Sequence, residues 1–140
     1  MAYSCSVPQL PWEFVTLGIP ISVQASGTSR ARWKAEVATA AQIAWGTEQP
    51  LDVEVLLQLT YFHEGAPLDV DNMIKPIQDA LNGIVYVDDK QVARVVSSRS
   101  DLNGSFRVRG LSQALALGFA SDGPFVHVKV KPAPDAQELP

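Results

Sequence analysis

Residues 67–92, PLDVDNMIKPIQDALNGIVYVDDKQV, constrain the fold more tightly than any other stretch of this chain. Asp69 and Asp71 stand two apart, Lys75 and Asp79 follow, and the adjacent pair Asp88 and Asp89 closes the series. Between them Ile74, Ile77 and Leu81 recur at helical spacing, and Asn82-Gly83 supplies a stop, so the pattern predicts a helix over 72–82 with one buried face. Asp71 or Asn72 serves as its N-cap, and Pro76 is tolerable near the first turn. Asp71, Lys75, Asp79 and Asn82 then share the opposite face. The fold must cover one side of this helix with core and leave the charged side open. Five of the fifteen acids lie within 69–89 against one base, so this segment carries the whole net charge of −4, and ten bases balance ten acids elsewhere. Carboxylates crowded in this way repel one another unless a cation or water screens them.

The flanks read as strands and one more helix. Residues 52–62 alternate as a central strand, with Val53, Val55, Leu57 and Leu59 on one side. Residues 14–19 form a first strand, 84–87 a short one, 91–98 another and 125–130 the last. Ser26 to Ser29 offer N-caps for a helix over 29–45, whose apolar face is Trp33, Val37, Ala40, Ala41 and Ala44. Gly46 and Pro50 close it. Asp101 to Gly104 make a turn. Residues 105–122 are ambiguous between a strand at 106–109 and a helix near 113–119. His63 and Glu64 are expected on an exposed loop, and His127 on a strand surface. These elements predict an α/β chain of the α+β two-layer kind: a mixed sheet of four to five strands with two main helices on one face. One domain is expected over 1–140, with a loose lead-in at 1–12 and a frayed tail from 132.

Composition narrows the setting. The sequence has no run of eighteen apolar residues that could span a membrane, and the first residues lack the basic-then-apolar pattern of a secretory signal. A lone Cys5 suits a reducing compartment, so a cytoplasmic protein is expected. The sequence pI near 5.0 argues against a nucleic-acid partner, since phosphate binders usually carry a basic excess. That objection weakens because the excess acid sits in one segment, where two divalent ions would cancel it.

Asp69 and Asp71 in extended backbone project to one side, and Asp89 can join them if its strand lies beside the segment leading into the helix. Three carboxylates of this kind suit Mg²⁺ or Mn²⁺, which activate water for in-line attack on a phosphodiester, while Lys75 can face the phosphate. An EF-hand starting at Asp69 fails, because its sixth and twelfth positions would be Ile74 and Ala80. No Walker A loop, CxxC pair or G-x-S-x-G elbow is present. A purely structural reading stays open: Asp71 caps a helix, Asp79 pairs with Lys75, and Asp88-Asp89 makes a turn.

The string DVDNMIKPIQDALNGIVYVDDKQV resembles the signature of the RusA family of Holliday junction resolvases, and residues 13–100 resemble that family more loosely. The resemblance implies a homodimeric Mg²⁺-dependent endonuclease, with Mn²⁺ a plausible substitute, that cuts four-way DNA junctions by paired symmetrical nicks in recombination and repair. It assigns metal-ligand roles to Asp69, Asp71 and Asp89, with Asp88 a weaker candidate, and makes Lys75 the catalytic lysine. Asn72 and Asp79 become capping and scaffold residues. DNA contacts would come from Arg30, Arg32, Lys34, Arg94, Arg99, Arg107, Arg109, Lys129 and Lys131, a set chosen from charge. Two other functions compete: a branched-DNA-binding protein of the same fold with weak catalysis, and an acidic interaction protein without metal dependence.

Overall fold

The computed structural model describes residues 10–20, 26–65, 69–105 and 107–134. Most of the expected lead-in (1–9) and tail (135–140) lies outside the described residues, as do Pro67, Leu68 and Phe106. Along the chain come β1 (Trp12–Leu17), α1 (Gly27–Trp45), β2 (Val55–His63), α2 (Ile74–Leu81), a 3₁₀ turn (Asp89–Gln91), β3 (Val92–Asp101), α3 (Gln113–Ala120) and β4 (Phe125–Pro132). The four strands form one mixed sheet in the order β1-β4-β2-β3. β4 runs antiparallel to both β1 and β2. β2 and β3 are parallel, which requires a crossover, and α2 supplies it. This is the expected α+β architecture with a mixed sheet.

Register decides which residues meet the helices. Val55, Leu57, Leu59 and Tyr61 of β2 are all buried and alternate with half-buried Leu56, Gln58 and Thr60. They join Val126, Val128 and Val130 of β4 in the main core, against Trp33, Val37, Ala41 and Trp45 of α1 and Ile77 and Leu81 of α2. Each of the valines, leucines and Ile77 contributes roughly 1.5–3 kcal/mol by leaving water. Ser26 caps α1 by accepting from the Ser29 N–H, one of the positions the sequence offered. Both main helices cover this one face, as expected.

The opposite face carries α3, whose Phe119 packs edge-on against Phe62 and Phe125. α3 packs mainly on β1 and β4 and touches β2 through Phe62, leaving a groove beside it over β2 and β3. Gly118 permits the contact, since a Cβ there would stand 2.3 Å from the Phe125 ring. Gly118→Ala should therefore destabilise the protein by about 1–3 kcal/mol despite better helix propensity. A thermal melt showing no loss would contradict this packing.

Three expectations are corrected. Residues 84–87 are a turn with isolated bridges, not a strand: Gly83 has φ 77°, and its N–H donates to the Tyr86 carbonyl, folding the chain back. His63 is buried at the end of β2, where its Nδ1 accepts from the Gly65 N–H. His127 is also buried, because α3 covers the face on which alternation placed it; its Nε2 lies 2.9 Å from Glu13. Burial would push the Glu13 carboxyl up, but hydrogen bonds from Ser112 and His127 outweigh it and hold the group below its usual value. That half-buried carboxylate ties the start of α3 to β1 and β4.

Candidate active site

The acidic stretch wraps around α2. β2 ends at His63, and residues 69–73 form the turn that starts the helix. The Asn72 N–H donates to the Asp69 carbonyl at 3.0 Å, and the Ile74 N–H to the Asp71 carbonyl at 3.4 Å. Neither Asp71 nor Asn72 caps α2 by its side chain; Met73 is the N-cap and makes no side-chain bond. The Asp71 carboxylate is thus not engaged in capping and is exposed, as is Asp69. The turn is pinned from below by Ser97 of β3, whose hydroxyl donates to the Val70 carbonyl at 2.6 Å.

Lys75 lies in the first turn of α2. Its Nζ stands 3.0 Å from Asp79 Oδ1 and 3.0 Å from Asp89 Oδ2. The lysine thus joins the helix to the head of β3 across fourteen residues. Hydrogen bonds to Asp79 and Asp89 raise the Lys75 pKa, and the Lys75 hydrogen bond leads the causes that lower that of Asp89. Lysine and aspartate therefore stay oppositely charged throughout the neutral range. Beneath them Tyr86 is fully buried, and its hydroxyl donates to the Gln78 carbonyl at 2.8 Å. Burial, with Asp89, Asp79 and Asp88 adding to it, drives its pKa far above the ordinary phenol range.

Asp88 has a structural role, because its side chain accepts from the Lys90 N–H and forms a capping box with Gln91. Gln91 belongs to the signature string but received no role from sequence, yet it holds this end together. Its Oε1 accepts from the N–H groups of Val87 and Asp88 at 2.9 and 3.0 Å. Its Nε2 donates to the carbonyls of Leu51 and Val53 at 2.7 and 2.9 Å. One amide thus seats the Asp88-Asp89 pair against the loop before β2.

The basic candidates separate into groups. Arg30 and Lys34, four apart on α1, share a 150 Å³ cleft with Lys75 and Asp79, whereas Arg32 lies over Thr16 and Leu17. Arg99 pairs in register with buried Tyr61 and so belongs to the α2 face of the sheet; Arg94 pairs with Leu56 and belongs to the other. Arg107 and Arg109 line a groove on that other face.

Asp69 and Asp71 lie in the turn that leads into α2, while Asp89 reaches α2 from the head of β3 through Lys75. Among the described residues no three acids, histidines or cysteines are grouped to hold a metal ion. The donor chemistry nevertheless suits a hard divalent cation, since exposed carboxylates are its preferred ligands, and a cationic ammonium already sits against two of the acids. This is an α+β fold with a solvent-open carboxylate–lysine surface. Residues 24–109 match the family described as Endodeoxyribonuclease RusA, and the chain belongs to that family. Family membership makes it a nuclease of the Holliday junction resolvase type. No curated protein matches it. Among the described residues no helix is long and apolar enough to cross a membrane.

Proposed function

We propose that this chain is a metal-dependent, structure-selective endonuclease that resolves four-way DNA junctions in recombination and repair by paired phosphodiester hydrolysis. The observation that carries the reading is the bridge from Lys75 to Asp89, which brings the lysine and the second paired aspartate of the signature together beside the basic cleft of Arg30 and Lys34. Asp69, Asp71 and Asp89 would hold Mg²⁺ or Mn²⁺, which supplies an activated water and neutralises charge on the phosphate. Arg30 and Lys34 bind the phosphate backbone and orient it along α2. Lys75, with 60% of its side chain exposed, swings from the carboxylates to a phosphate oxygen and stabilises the charge that develops there. Asp79 keeps Lys75 ionised and near the site, Gln91 and Asp88 fix Asp89, and Ser97 fixes the Asp69–Asp71 turn. The enzyme acts as one cytoplasmic domain and as a homodimer, because two equivalent cuts across a two-fold junction need two sites related by a two-fold axis.

Purified protein with Mg²⁺ and a four-way junction should give symmetrical nicks that vanish in Asp71→Asn. Failure to cut any branched DNA with either metal would overturn the proposal. The lack of a closed three-acid group among the described residues favours one second reading, a junction binder with weak catalysis. Tight gel-shift binding without cleavage would establish it instead.

A further inference from the structure

The sheet face turned away from α2 holds a groove of about 360 Å³ beside α3, walled by Ser112 and Leu115 and running over β2, β3 and β4. Arg107 and Arg109 enter it from the connection between β3 and α3, and Lys129 from β4. Its floor carries Gln58, Thr60 and Ser98, side chains that donate hydrogen bonds. Among the described residues Glu13 is the one acid in the lining, and Ser112 and His127 already engage its carboxylate. Phe62, which lines the groove, is buried in its stack with Phe125 and offers no platform for a base.

In a chain of net charge −4, three cations over a floor of hydroxyl and amide donors form a concentrated anion-binding surface. We infer that this groove is a second DNA-backbone site, separate from the α2 surface, which grips phosphates of a junction arm that is not being cut. The inference rests on the proposed junction substrate. Its chemistry is phosphate recognition: guanidinium forks and short donors match non-bridging oxygens, and among the described residues no exposed ring lines the groove to stack a base. A junction spreads its arms away from the crossover, so a protein gripping both faces of its sheet discriminates branched DNA from a single duplex. The active-site face alone would meet either.

The test is junction binding by fluorescence anisotropy across a salt series, in EDTA so that nothing is cleaved. Arg107→Ala with Arg109→Ala should weaken binding roughly tenfold and lower the slope of log affinity against log salt by about two. Lys129→Ala alone should lower it by about one. The same variants should bind a linear duplex nearly as the parent does, because a duplex engages one face. Arg107 and Arg109 are exposed, and unchanged circular dichroism melts separate lost contacts from lost folding. Unchanged slopes in all these variants, with Arg30→Ala plus Lys34→Ala still weakening binding, would overturn the groove while leaving the nuclease reading intact. A parent protein that binds no branched DNA would overturn both.

Discussion

Asp89→Asn should lower junction cleavage by about three orders of magnitude, or about 4 kcal/mol of transition-state stabilisation, while the fold survives. Asp89 sits half-exposed at the head of β3, and its bond to Lys75 lies at the surface. An exposed pair of this kind contributes little to stability, so the melting temperature should scarcely move. The substitution removes the negative charge that would bind metal and hold Lys75, leaving an amide of the same shape. Junction affinity without metal should hold or rise, because one charge facing the phosphates is gone. A wild-type melting-temperature increase with Mn²⁺ should also disappear. The competing structural reading, in which Asp88 and Asp89 only make a turn, predicts near-normal rates. A variant retaining more than a tenth of the parent rate would favour that reading.

The largest expected effect outside the charged residues belongs to Gln91→Leu. Gln91 satisfies two backbone N–H groups and two carbonyls at distances of 2.7–3.0 Å. Each bond contributes about 0.5–1.5 kcal/mol net, and water can replace some of them, so a stability loss of about 2–3 kcal/mol is expected by denaturant titration. Activity should fall further than stability explains, because the Asp88-Asp89 turn loses its anchor to residues 51–53 and Asp89 leaves the reach of Lys75. Gln91→Glu keeps the two acceptor contacts and loses both donors, so it should fall between the parent and the leucine variant. A leucine variant with parental stability and rate would show that Gln91 does not position the site.

The distance between partners explains what could be read in the sequence. The face of α2 that bears Lys75 and Asp79 was legible because helical phase is a local property, and the 3.0 Å ion pair has the expected spacing of four residues. The strand assignments of β2 and β4 were legible for the same reason. Gln91 and Ser97 were not, because their carbonyl partners lie 38–40 and 27 residues away, and only the βαβ crossover brings them together. His127 was misjudged because alternation tells which face a residue takes but not whether a helix covers it; α3 does. Charge groups Arg30, Arg32 and Lys34 together, yet a helix turns 100° per residue. Arg32 points away from the two that share the cleft with Lys75. The turn at residues 83–87 reads as a strand because Ile84, Val85 and Val87 suit one, while Gly83 reverses the chain.

A crystal structure with Mn²⁺, read by its anomalous signal, tests the central claim most directly. The account predicts a manganese peak coordinated by Asp69, Asp71 and Asp89, with the Lys75 ammonium displaced from Asp89. An empty site at saturating Mn²⁺, with Lys75 still bridging Asp79 and Asp89, would contradict it.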